Sequence, residues 1–331
     1  MKNKNFLRAF VCFLAILCLI YLPSSITAKA DENWLYLGGF PAGFTIKSKG
    51  ADIVGLSDVI CESGVCSPAK NAGVLVGDRL LNIDSVEIST AKDIELALKN
   101  NKGENVVLKL NRRGEEIIKE VLPVKDISGA YKLGLFIRDN LNGIGTMTFV
   151  KENGEFMALG HPVVDERNNL TEVVSGELYK CSIIGVKKGV RGKAGELKGV
   201  FIKDNAIGMV CENLNCGLKG KFNKNFNVNS LKKVEIGECS VGSAKMITSI
   251  DGSLPTEYDI SIVKVDSTAR DNKNFVVKVN DERLLSYAGG IVQGMSGSPV
   301  IQNGKIVGAV THVFLNDPTR GFGIFINNML K

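Results

Sequence analysis

Histidine is nearly absent from this chain: 331 residues contain two, His161 and His312. No H-E-x-x-H pattern occurs, and neither histidine has cysteines beside it at C-x2-C spacing, so no metal centre is expected. A Gly-rich phosphate loop is missing as well, and no cofactor is expected. The excess of positive charge is small, +6 with a pI near 8.8, and Lys2, Lys4 and Arg8 supply part of it. No Lys/Arg stripe interleaved with aromatics stands out, which leaves a mildly basic solvated surface and no expected nucleic-acid partner. Internal repeats and low-complexity tracts are also lacking.

What is present is an ordinary globular composition, 44% hydrophobic and 23% charged, in a length that suits about two domains. The first residues stand apart. Lys2, Lys4 and Arg8 precede an apolar run, Ala9 to Leu22, of 14 residues, short of the roughly 20 that a spanning helix wants. That run suits the core of a signal peptide, with Ala28-Lys29-Ala30 offering small residues for cleavage before Asp31. Phe6 and Leu7 would lengthen it into an anchor over residues 6–22 if it stayed uncleaved. On either reading residues 1–30 direct export. Outside the run lie six cysteines, including two C-x4-C pairs, Cys61/Cys66 and Cys211/Cys216. An even number in an exported chain permits disulfides, of unspecified pairing.

From Asn33 to Lys125 the chain reads as short strands with one helix. Ser67-Pro68-Ala69 opens a helical turn that Gly73 ends, Gly77-Asp78 turns into the strand Arg79–Ile83, and Ser89 or Thr90 caps a helix through Leu98. The strands Val106–Leu110 and Glu116–Ile118 follow around an Arg112-Arg113-Gly114 turn. The run SPAKNAGVLVGDRLLNIDSVEI at 67–88 resembles a PDZ domain, expected here over 31–125. That resemblance implies a loop of backbone N–H groups that holds a terminal carboxylate while the ligand adds a strand to the sheet. The matching loop is expected at Pro41 to Phe44, with Gly43 and Phe44 as peptide-binding residues.

From 126 to 331 nearly everything reads as short strands and Gly-rich turns, the pattern of an all-β sandwich or barrel. Within it, Gly294-Met295-Ser296-Gly297-Ser298-Pro299 sets serines between glycines just before a strand. A nucleophilic serine needs such a turn, because glycine dihedrals let several backbone N–H groups converge on a developing oxyanion. The following hairpin, turned at Gln302-Asn303-Gly304, resembles the serine segment of chymotrypsin-like proteases. His161, in MALGHP, precedes Ser296 by 135 residues, the order of those enzymes. His312 reads as structural. Asp165, Asp259 and Asp281 are all candidates for the acid that orients the imidazole, and spacing does not choose among them.

YKLGLFIRDNLNGIGTMTF (131–149), ALGHPVVD (158–165) and GGIVQGMSGSPVIQNGKIVGAVTHVFLNDPT (289–318) together resemble the stage IV sporulation protein B serine peptidase family. The resemblance implies a mainly β architecture, a PDZ domain followed by a chymotrypsin-like double β-barrel. It places the nucleophile on Ser296, its base on His161 and its acid on Asp281, supported by Thr311, Asn213 and the Gly294 backbone. It further implies a sporulation protease exported between the forespore membranes, where it processes itself near its N-terminus. It would then cut a regulatory subunit of a membrane complex and so trigger a late mother-cell sigma factor. Expected partners are that membrane-complex subunit and its own N-terminal region. Two other readings are an inactive PDZ-bearing docking protein and an envelope quality-control protease. In the latter type the PDZ domain follows the protease.

Overall fold

The computed structural model describes residues 33–165, 168–202, 205–269 and 271–331. The leader or anchor expected over residues 1–30 lies outside them. No described helix is long and apolar enough to cross a membrane.

Among the described residues, two closed six-stranded barrels make up most of the chain. The second is continuous in sequence, built from the strands Gly242–Thr248, Thr256–Val265, Phe275–Val279, Pro299–Gln302, Lys305–Phe314 and Asp317–Phe325. Its strands alternate. Tyr258, Ile260 and Ile262 point inward and are nearly fully buried, while the alternate positions Glu257, Asp259 and Val263 face water. Phe275, Val277, Val279 and Met295 fill the same interior.

The first barrel is not continuous. Pro41–Lys47 pairs with Leu141–Val150 on one side and Ser175–Lys187 on the other. The ring closes through Glu155–Ala158, Gly217–Phe222 and Gly208–Leu214. Phe44, Ile46, Met147, Phe156, Leu178 and Phe222 pack inside. A seam of Leu35, Phe149, Met157, Ile247, Ile306 and Ile324 joins the two barrels. Burying a side chain of this size contributes about 1.5–3 kcal/mol.

The smaller domain, where a PDZ domain is expected, is inserted between the first two strands of that ring. Its sheet runs in the order Leu135–Arg138, Ala51–Leu56, Arg79–Ile83, Val106–Arg112, Glu115–Val121. The helix Ala91–Asn101 begins with a capping box, in which Thr90 accepts from the Asp93 N–H and Asp93 accepts from the Thr90 N–H. Asp78, 1% exposed, accepts from Arg112 Nε and Nη2 at 2.7 Å each and from the Leu75 N–H at 2.9 Å, tying the expected turn to the far strand.

This architecture corrects the boundaries expected from sequence. Trp34–Leu37 and Pro41–Lys47, expected in the PDZ domain, pair with the first-barrel strand Leu141–Val150, whereas Leu135–Arg138, expected in the peptidase domain, pairs with Ala51–Leu56 of the smaller sheet. Reading left to right cannot see this. The partner of Pro41–Lys47 lies on the far side of an entire domain, and no local pattern announces so distant a pairing.

Candidate active site

Ser296 sits in a turn that its neighbours leave little room to move. Gly294 and Gly297 have φ of +98° and +94°, a region that favours glycine. A side chain at Gly297 would meet Thr146 O at 2.2 Å. The turn is gripped from the other barrel. Thr146 donates its hydroxyl to Gly294 O at 2.9 Å and its N–H to Ser296 O at 2.9 Å, and Thr148 donates its hydroxyl to Gly297 O at 2.8 Å. Both threonines are buried on the strand that returns from the PDZ domain. Among the described residues neither the Gly294 nor the Ser296 N–H has an acceptor, the arrangement an oxyanion needs.

His161 follows the strand Glu155–Ala158 through Leu159 and Gly160, with φ of +70° and +71°. A leucine there carries backbone strain of about 1–3 kcal/mol. His161 and Ser296 line one cleft between the barrels, of about 680 Å³, with no Asp, Glu, Lys or Arg among its described lining residues. The His161 Nδ1 lies 2.8 Å from Pro162 O. A carbonyl only accepts, so Nδ1 carries the proton and Nε2 keeps its lone pair. Burial holds the His161 pKa below its ordinary value, keeping the ring neutral near pH 7. The Ser296 hydroxyl donates to Thr311 O at 2.6 Å rather than to the imidazole.

The supporting residues have distinct places. Thr311, 2% exposed, is anchored by its hydroxyl to Phe322 O and supplies that carbonyl to Ser296. Asn213 accepts from the Val163 N–H and donates to Val163 O and Thr171 O at 2.6–2.9 Å, fastening the segment that follows His161.

Asp281 is not brought to the histidine. It is the N-cap of the helix Glu282–Ala288, accepting from the Arg283 and Leu284 N–H groups, and its carboxylate is paired with the Arg283 guanidinium at 2.7 Å. It accepts from the Asp259 N–H as well, and the Arg283 hydrogen bond first of all holds its pKa well below the carboxylate range. In this geometry the group at His161 Nδ1 is the Pro162 carbonyl, and no hydrogen bond joins Asp281 to the ring. Sequence alone could not separate a helix-capping aspartate from a catalytic one.

His312, read as structural, stands at the site instead. It lines the cleft, and its ring is tilted 37° on that of His161 with centroids 4.7 Å apart. Desolvation first, then the nearby His161 and Lys273, push its pKa down to about 4. The signal was available: a second histidine directly after Thr311, on the strand returning from the serine. Thr146 and Thr148 were missed for want of any motif.

The expected carboxylate loop also moves. Gly43 and Phe44 belong to the barrel strand Pro41–Lys47, Phe44 in the core and lining the cleft, Gly43 under the Phe201 ring. The PDZ groove lies elsewhere, between Ala91, Ile94 and Leu98 of the helix and the loop Leu133–Leu135, with a volume of about 410 Å³. Gly134, at φ +75°, would clash with Ser57 O if it carried a side chain.

The family profile described as SpoIVB peptidase S55 matches residues 129–330, and a PDZ domain profile matches residues 60–112. A putative zinc metalloprotease of Clostridium perfringens, CPE1693, is 36% identical over 69 residues, 21% of each chain, so this chain spans about a fifth of that relative. No group of three His, Cys, Asp or Glu is gathered for a metal among the described residues. Among solved structures, the inactive form of the Rv3671c protease of M. tuberculosis H37Rv is similar over 56% of this chain and 81% of its own, at 12% identity and a TM-score of 0.33. Human heparin binding protein is similar over the same shares, at 13% identity and a TM-score of 0.29.

Proposed function

Since this chain belongs to the SpoIVB peptidase S55 family and is a serine peptidase, we propose that it is an exported endopeptidase of sporulation that processes itself near its N-terminus. It then cuts a regulatory subunit of a membrane complex between the forespore membranes, releasing late mother-cell sigma-factor activation. Its PDZ domain engages its own N-terminal region or that membrane partner, with residues 6–22 as leader or anchor. The family name supports the sporulation setting, and the leader-like N-terminus supports export.

One observation carries the chemistry: Ser296, His161 and two N–H groups with no acceptor among the described residues meet in a single cleft. For attack, the Ser296 hydroxyl turns from Thr311 O to His161 Nε2, which takes its proton as Oγ bonds to the substrate carbonyl carbon. The Gly294 and Ser296 N–H groups receive the oxyanion. His161 passes the proton to the departing amine as the C–N bond breaks, and water repeats the sequence to release the acid. A cleft whose described lining carries no Asp, Glu, Lys or Arg favours apolar side chains around the scissile bond.

The Ser296–Thr311 bond favours a second reading, a docking protein that does not cut. Incubating the chain, intact and as Ser296→Ala, and reading products by mass spectrometry separates the two. Self-cleavage by the intact chain alone supports the peptidase. Intact chain that cuts neither itself nor a spore membrane-complex subunit supports docking.

A further inference from the structure

The two C-x4-C pairs are treated differently by the fold. Cys61 Sγ lies 2.6 Å from Cys66 Sγ across the hairpin formed by Val59–Cys61 and Gly64–Cys66. Val59 pairs with Cys66 and Cys61 with Gly64, so the two thiols share one face of the ribbon. Cys211, in contrast, is exposed, while Cys216 packs on the seam between the barrels. Cys181 and Cys239 are desolvated, their thiols pushed up to about 11 and about 12.

The position of the close pair gives it a consequence. Directly before the hairpin, the Ser57 N–H donates to Gly134 O at 3.0 Å. Directly after it, the Ala69 N–H donates to Leu133 O at 3.0 Å. The Ser67 hydroxyl donates to Asp58 Oδ1, closing the base of the hairpin. Both ends of one ribbon thus hold successive carbonyls of the loop that walls the PDZ groove, and the near strand itself lines that groove.

We propose that Cys61 and Cys66 are joined by a disulfide in the exported protein, and that the bond fixes the hairpin so that the Leu133–Gly134 loop is held ready for a peptide carboxylate. The oxidant is a disulfide of the extracytoplasmic space, so this step rests on the export reading. Hydrogen bonds from Cys66 and Ser63 favour the Cys61 thiolate, which attacks the oxidant's disulfide and expels one thiol. The Cys66 thiolate then attacks the mixed disulfide at Cys61 and expels the second. Two protein thiols and one external disulfide become one protein disulfide and two external thiols.

The test uses the full chain equilibrated with glutathione and glutathione disulfide, alkylated before and after reduction and mapped by mass spectrometry. The expected result is that Cys61 and Cys66 resist alkylation until reduced and appear linked to one another. Alkylation of both beforehand, or linkage to any other cysteine, overturns the bond. Binding of a fluorescent heptapeptide ending in a leucine carboxylate then tests the groove. The oxidised chain should bind at least about fivefold more tightly than Cys61→Ser/Cys66→Ser, the low end of couplings between sites. Equal binding, or none by either, overturns the role of the bond. Labelling of Ser296 by a fluorophosphonate should be the same in both proteins, so failure here is separate from failure of the peptidase reading.

Discussion

Thr146→Val removes one hydroxyl and almost no volume from the grip on the serine turn. The lost bond runs to Gly294 O at 2.9 Å, and Thr146 is 1% exposed. A buried acceptor left without its donor costs about 1–3 kcal/mol, an upper range here because the Gly294 end of the bond is part-buried. If that cost is felt where the oxyanion forms, the rate of Ser296 acylation falls between about fivefold and about 150-fold. Fluorophosphonate labelling reads the equivalent attack, Ser296 Oγ on phosphorus with loss of fluoride, because the probe needs the nucleophile, its base and the N–H groups but no known substrate. Thr146→Ser keeps the hydroxyl and should label within about twofold of the parent, while the Thr146 N–H bond to Ser296 O survives in both variants. A valine variant that loses thermal stability yet labels at the parent rate would refute the idea that this strand orders the oxyanion site.

Three further outcomes follow from the same geometry. Asp281→Asn keeps a capping side chain and should label within about threefold of the parent, with Asp281→Ala melting lower; a loss near 10⁴-fold in the asparagine variant would instead assign Asp281 to the imidazole. His312→Ala exposes His161 to water, so the labelling rate should fall and its pH midpoint should rise toward 6.5; an unmoved midpoint denies the ring contact any role. Both histidines have folded pKa values below 6.5, so the unfolded chain binds more protons in acid and stability rises with pH. Melting temperature should therefore drop as pH falls from about 6.5 toward about 4 and the drop should shrink in His312→Ala.

Local chemistry was the legible part of the sequence. The capping Thr90, the glycines around Ser296 and the alternation of Val106–Leu110 each act over a few residues, and each element stands where those residues put it. Illegible was whatever depends on pairing at a distance. Pro41–Lys47 looked like part of the PDZ domain because its barrel partner begins at Leu141. Spacing left the acid open and only the family resemblance put it on Asp281, and nothing nearby in sequence reveals that its carboxylate is held by its own helix and Arg283. The contact of His161 with His312 brings together residues from two barrels, and no spacing rule predicts it.

The insertion within the first ring bears on how the molecule comes to be folded. As the chain is made, Pro41–Lys47 appears first and must wait for Leu141, roughly a full domain later, before it has a neighbour. Bringing Ile46 and Leu141 together across an unstructured loop of that length costs about 4 kcal/mol of chain entropy. A PDZ domain that has already folded shortens the wait, since it acts as a clip presenting both ends of the interrupted ring side by side. On this view Asp78, remote from the cleft and locked to Arg112, matters to the peptidase through the order of assembly: a chain whose clip forms late leaves an apolar barrel strand unpaired, exposed to the same self-association that awaits any open sheet edge.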